Sequence, residues 1–181
     1  NKKMEVDKKE QQREKIWEVI NVAFNFQEIA KRSVSNHWKR FTKVQKDEFS
    51  SLFGEFLGNI YLDRLQGEKI IYHDQKMFSD SKALIKTTIR RETTDIPAVY
   101  SMSNSKGPWR IYDVKIGGVS LVRNYRVQFS KALRKKSPDD LIEMIKKKIE
   151  KQKQKKASKI SMKAIFNLVR LMATQSFKQL L

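Results

Sequence analysis

Two histidines, twenty carboxylates and no cysteine are the stock from which this 181-residue chain would have to build a reactive site. The missing thiol removes disulfide frameworks, thiolate metal sites, iron–sulfur clusters and cysteine nucleophiles. His37 and His73 are too few for a multi-histidine metal site or a histidine relay. His37 precedes Trp38 in a short polar stretch, where a packed or surface imidazole is the ordinary outcome. Asp63 with Asp74 or Asp80 would offer a carboxylate pair, but nothing in the sequence fixes their separation. The chain has no Gly-x-Ser-x-Gly, no Gly-Lys-Ser/Thr phosphate loop, no His-Glu-x-x-His and no Gly-x-Gly-x-x-Gly. The residue types point to binding, and no catalytic residue, metal or cofactor is expected.

What the chain does have in excess is positive charge. Thirty-nine Lys and Arg against twenty Asp and Glu give +19. A charge of that size predicts an anionic partner: nucleic acid, an anionic membrane surface or lipid headgroups. Lysines crowd residues 146–163, with Glu150 as the single acid. Such a stretch is ordinarily a solvated face or linker, and it would also suit phosphate contacts. Nucleic-acid modules add exposed aromatics for stacking. Here the aromatics fall on apolar stripes instead, so no nucleic acid is expected; a basic nucleic-acid-binding module stays as the alternative on charge alone. A small enzyme with a ligand cavity is the third reading, weakened by the missing acid–base set.

The elements that would position such a binding site follow from periodicity. Leu, Ile, Val and Phe make up 49 of the 181 residues, above the roughly 20% below which a chain cannot bury a core. Ile16, Ile20, Ala23 and Phe24 mark a helix over 8–24, and a shorter helix follows over Gln27–Val34. Thr42 and Gln45 have capping-box spacing. The wide apolar stripe from Phe49 to Leu65 then predicts the strongest helix, over 43–65. Inside it, Gly54-x-x-x-Gly58 predicts close approach of another element, or room for a ligand beside the helix. The period next changes to that of strands, over about 68–77, 82–92, 97–103 and 109–116, with turn chemistry at Asn104–Pro108. Gly117-Gly118 turns the chain into a helix capped by Ser120, and Ser137-Pro138-Asp139-Asp140 starts another. No apolar run reaches the 18 to 20 residues that span a bilayer.

The segment Gly107-Pro-Trp-Arg-Ile-Tyr-Asp-Val-Lys-Ile-Gly-Gly-Val-Ser-Leu-Val-Arg-Asn-Tyr-Arg-Val-Gln-Phe129 closely resembles the signature of the MlaC family, also called the toluene-tolerance family, of periplasmic phospholipid-binding proteins. Phe26-Gln-Glu-Ile-Ala-Lys-Arg, His37-Trp38, the stripe from Phe49 to Leu65 and Asp139-Asp140-Leu141-Ile142 are similar to its other helices, so the resemblance covers roughly residues 10–150. It implies an α+β fold: a curved antiparallel sheet of about four strands covered by helices, enclosing an apolar lipid cavity. It further implies a carrier with phospholipid as cargo. The partners it implies are an inner-membrane ABC transporter complex and an outer-membrane lipoprotein complex, with the transport supporting outer-membrane lipid asymmetry. A relative of the same fold is associated with hopanoids, which leaves a hopanoid-type carrier as an alternative cargo class. Because such proteins are made with a signal peptide, and this chain begins Asn-Lys-Lys, the expected form is a mature periplasmic one.

On this reading residues 1–150 are the lipid-binding domain, and 151–181 are a basic linker with a C-terminal amphipathic helix. Leu57, Tyr61, Ile85, Val99, Tyr112, Val114, Tyr125 and Phe129, on the apolar faces of the main helix, the strands and the signature helix, are the expected lipid-contacting side chains. Asp113, Asn124 and Arg126 are read as polar groups tying sheet to helix. The tail stripe of Ile165, Leu168, Val169, Met172 and Leu180 is expected to need a cover, from its own domain, a second copy or an anionic membrane.

Overall fold

Side-chain caps set where most of the helices begin. The computed structural model describes residues 2–61, 68–91 and 93–155, with side chains from residue 11 on. Helix α1 spans Lys2–Ala23. Asn25 caps α2, Phe26–Val34, its Oδ1 accepting from the Glu28 amide at 2.9 Å. A 3-10 helix, Ser35–Arg40, leads to α3, Lys43–Tyr61. There the Thr42 hydroxyl accepts from the Gln45 amide at 3.2 Å and the Gln45 side chain accepts from the Thr42 amide at 2.9 Å, the reciprocal pair read from the sequence. Helix α4, Leu121–Leu133, starts at Ser120, which accepts from the Arg123 amide. Helix α5, described over 138–155, starts at Ser137, which exchanges hydrogen bonds with Asp140.

Between α3 and α4 lies one antiparallel sheet whose spatial order repeats the sequence order: β1 Lys69–Ser79, β2 Lys82–Arg90, β3 Asp95–Ser103, β4 Arg110–Ile116 and β5 Val119–Ser120. The four expected strands are present, and a fifth, two residues long, precedes α4. Gly117 and Gly118 make the turn into it at φ +56° and +85°, a backbone that side-chain-bearing residues rarely adopt. The β2–β3 register runs unbroken from Lys82↔Ser103 to Arg90↔Asp95. The β3–β4 register does not: a bulge between Ser101 and Met102 shifts it, so that Met102 faces Ile111 while Ser101 faces Asp113. An isolated parallel bridge, Phe24 with Ile111, joins the α1–α2 junction to the sheet.

The largest fully buried side chains lie on helices. Ile29, Ala30 and Val34 of α2, Phe49 and Phe53 of α3, and Phe129 and Leu133 of α4 are fully or nearly fully buried. Phe53 meets Tyr125 and Phe129 edge-on at 5.0 and 5.1 Å between ring centres, and Phe49 meets Phe129 at 5.7 Å, geometries that the ring quadrupoles favour. The chain divides into two units, Asn1–Ile145 and Lys146–Leu181. Of the second, helical residues 146–155 are described; the tail stripe from Ile165 to Leu180, like Asp63 and Leu65, lies outside the described residues.

Candidate functional site

The sheet turns one face to the helices, and that face is apolar by strand alternation. Along β2 it carries Ala83, Ile85, Thr87 and Ile89, of which three are buried. Register places Ile89 beside Ile70 and Ile96, and Ile85 beside Tyr100, which in turn faces Val114. Against this face α1 and α3 leave a cavity of about 320 Å³. Helix α1 supplies Trp17, Ile20 and Ala23; α3 supplies Leu57, Gly58 and Tyr61; the sheet supplies Ile70, Ile89, Tyr100, Val114 and Ile116. Phe24, Phe26 and Ile29 close one side, and Leu121 of α4 another. None of its sixteen wall residues is charged. Val19 and Ile70, 67% and 54% exposed, are the solvent-facing members of the wall and form its rim.

The glycines of the Gly54-x-x-x-Gly58 pair allow the close approach of other elements read from their spacing. A Cβ on Gly54 would stand 3.0 Å from the Phe26 ring, and one on Gly58 would overlap the Trp17 ring. Trp17 stacks on Phe26 at 5.6 Å, and Phe26 on Phe24 at 5.8 Å. The missing side chains therefore admit a run of three aromatic rings, and Gly58 itself remains part of the cavity wall.

Of the eight side chains singled out from the sequence, Leu57, Tyr61 and Val114 line this cavity. Ile85 is half-buried on the same sheet face but is not part of the wall. Val99 pairs in register with Lys86 and Lys115 and so lies on the opposite face from Ala98 and Tyr100. Tyr112 stands at the bulge, which interrupts the alternation between Ile111 and Val114; its ring packs beneath the Arg32 guanidinium at 4.3 Å. Tyr125 and Phe129 sit in the helix–helix aromatic cluster. Burial, with a smaller contribution from Tyr61, pushes the Tyr125 hydroxyl up to about 12. The α1 wall was absent from that set, although the stripe of Ile16, Ile20, Ala23 and Phe24 marks α1 as a covering element.

Polar groups of the signature segment hold the wall together. Asp113 accepts from the Ser120 hydroxyl at 2.7 Å and the Val122 amide at 3.0 Å, fastening β4 to the start of α4. Arg126 Nε donates to the Arg32 carbonyl at 2.9 Å, joining α4 to α2. Asn124 accepts from Gln128 within its own helix, at 3.4 Å, and joins no other element through that bond. His73 is exposed and hydrogen-bonded to Thr88, and Asp74 is paired with Lys86. Among the described residues no group of three or more His, Asp or Glu is placed to hold a metal ion. No described helix is long and apolar enough to cross a membrane.

No curated protein matches the chain. Among solved structures, its fold is similar to that of the phospholipid-binding protein of Ralstonia solanacearum, solved in complex with a phospholipid, with a TM-score of 0.67 at 18% identity. The match covers 74% of this chain and 77% of the other, and at that identity it is a likeness of fold. The family model described as MlaC protein matches residues 1–147, which takes in α1, the sheet, the cavity between them and the whole signature segment. The chain belongs to the MlaC family.

Proposed function

We propose that the chain is a lipid carrier that takes phospholipid acyl chains into the cavity between α1, α3 and the sheet. The observation that carries this reading is the wall: sixteen residues without one charge, whose side-chain polar groups are the hydroxyls of Tyr61 and Tyr100 and the indole N–H of Trp17. Family membership and the phospholipid held by the structural neighbour support it. Each methylene exposed to water costs about 0.8 kcal/mol, so a diacyl lipid with about 30 of them loses roughly 24 kcal/mol in crossing water bare. A carrier must supply a dry space nearly as favourable as the bilayer, but not much more favourable, or release stalls. Leu57, Tyr61 and Val114, together with Trp17, Ile20 and Tyr100, are the proposed acyl contacts. At 320 Å³ the cavity is at the small end of the about 300–1,000 Å³ typical of ligand sites. Loading two acyl chains therefore requires the cavity to widen.

In this reading the protein works in the periplasm, shuttling lipid between an outer-membrane lipoprotein complex and an inner-membrane ABC transporter. No covalent step is involved, and the phospholipid is cargo. Residues 1–150 form the carrier, and the basic segment 151–181 favours encounter with anionic membrane surfaces. Organic extraction of the purified protein followed by lipid mass spectrometry tests the reading. Phospholipid is expected from the native chain and little from Val114→Glu, which sets a charge in the wall. A native protein that carries nucleic acid and no lipid would refute it.

A further inference from the structure

Helix α2 has two working faces. Phe26 and Ile29 look into the apolar cavity, while Glu28 and Lys31, with the cap residue Asn25, line a second, polar cavity of about 290 Å³. Its other walls come from the β3–β4 hairpin: Ser103, Ser105, Lys106, Arg110 and Tyr112. Four cations, Lys31, Arg32, Lys106 and Arg110, stand at or beside it against one acid. That acid is already engaged, since Arg32 Nε is 2.8 Å and Lys106 Nζ 3.4 Å from the Glu28 carboxylate. Burial pushes the Glu28 carboxyl up, but Arg32 and Lys106 outweigh it and hold it below the usual range.

Neither Lys31 nor Arg110 has a carboxylate oxygen within 4.0 Å among the described residues, although Lys31 is near enough to Glu28 to add to the lowering of its carboxyl. Arg110 Nε is enclosed without any hydrogen-bond acceptor. The large majority of buried side-chain polar atoms in native proteins have a hydrogen-bond partner. The Asn25 side chain already serves the Glu28 amide, so the N-terminus of α2 is capped and the free donors are those of the side chains. The Ser103 and Ser105 hydroxyls are hydrogen-bonded to each other at 3.0 Å, which leaves one hydroxyl proton to donate at the hairpin end.

We propose that this polar cavity binds a phosphate group, either as the free ion or on a lipid headgroup. A guanidinium fork and two ammonium groups around one concavity match an oxyanion with several acceptor oxygens and more than one charge. The site stands apart from the acyl cavity and does not depend on it.

The full chain, labelled with ¹⁵N, is titrated at fixed ionic strength with inorganic phosphate and, separately, with dihexanoyl phosphatidylglycerol below its micelle concentration. The expected result is a saturating shift of the amides of Lys31, Ser103, Ser105, Lys106 and Arg110. Arg110→Gln should weaken it about tenfold or more, the loss of one charge-assisted hydrogen bond. Lys31 is exposed, so Lys31→Gln keeps the fold and should weaken binding in the same sense. Saturation by inorganic phosphate assigns the free ion; saturation by the lipid alone assigns the headgroup. The proposal is overturned if neither probe saturates, or if the response is unchanged in both variants. Amides of Ile20 and Tyr100 report the acyl cavity separately, so failure of one site leaves the other standing.

Discussion

A single absent Cβ decides how close α1 comes to α3. Replacing Gly58 by Ala improves helix propensity by about 0.5–1 kcal/mol, but overpacking a filled site costs about 1–3 kcal/mol. Overlap with the Trp17 ring makes the second effect the larger. Gly58→Ala is therefore expected to lower the melting temperature, to red-shift tryptophan emission and to reduce co-purified lipid. Tyr125 gives a pH dependence. Its hydroxyl is held neutral by burial up to about 12, against an ordinary value of 10.0. The unfolded chain thus loses this proton first, and stability contributed below pH 10 drains away between pH 10 and 12. Two pH units correspond to about 2–3 kcal/mol at most. In urea unfolding at pH 9 and pH 11.5, Tyr125→Phe should lose less stability than the native chain, the lysines cancelling in the comparison. At this scale the sequence was legible only in part. Leu57 and Val114 lie on stripes whose cavity side follows from period, but Tyr125 and Phe129 lie on an equally apolar stripe that faces other helices. Period marks an apolar face without saying whether it meets side chains or space. Tyr112 escaped for another reason, because a bulge breaks the period on which its assignment rests.

Caps and alternation carry most of what can be read of the elements. Thr42 with Gln45, Ser120 and Ser137 each begin a helix where the spacing predicts, and four strands lie within a few residues of their expected spans. Strand β5 was not legible: two residues hold no alternation, and they form a strand only because β4 is alongside. The joint between sheet and α4 rests on Asp113, whose carboxylate serves both the Ser120 hydroxyl and the Val122 amide. Asp113→Ala leaves two part-buried donors without that acceptor, a cost of about 1–3 kcal/mol. A lowered melting temperature with an unchanged profile of extracted lipids is expected. An unchanged melting temperature with altered headgroup preference would give Asp113 a place in the binding site.

At the scale of the whole molecule, +19 acts at a distance that salt controls. The screening length is about 10 Å at 0.1 M salt and about 3 Å at 1 M. Sedimentation with phosphatidylglycerol vesicles should therefore fall steeply as salt is raised, and fall again when residues 157–181 are deleted. Full binding by the deleted chain would exclude the tail as an anchor. Charge excess and the basic tail were plain in composition, whereas a dry cavity is a relation between surfaces far apart in the chain. One feature of the sheet bears on how the chain acquires its shape. Because each strand pairs with its sequence neighbour, the hairpins can zip on a scale of about 1–10 μs without help from either terminus. The Phe24–Ile111 bridge and the bond from the Asn25 amide to the Ile111 carbonyl, at 2.8 Å, instead close a loop containing α2, α3 and most of the sheet. Such long closures are entropically slow. The sheet should therefore form early and α1 dock late, so that the last step of folding is also the one that seals the cavity.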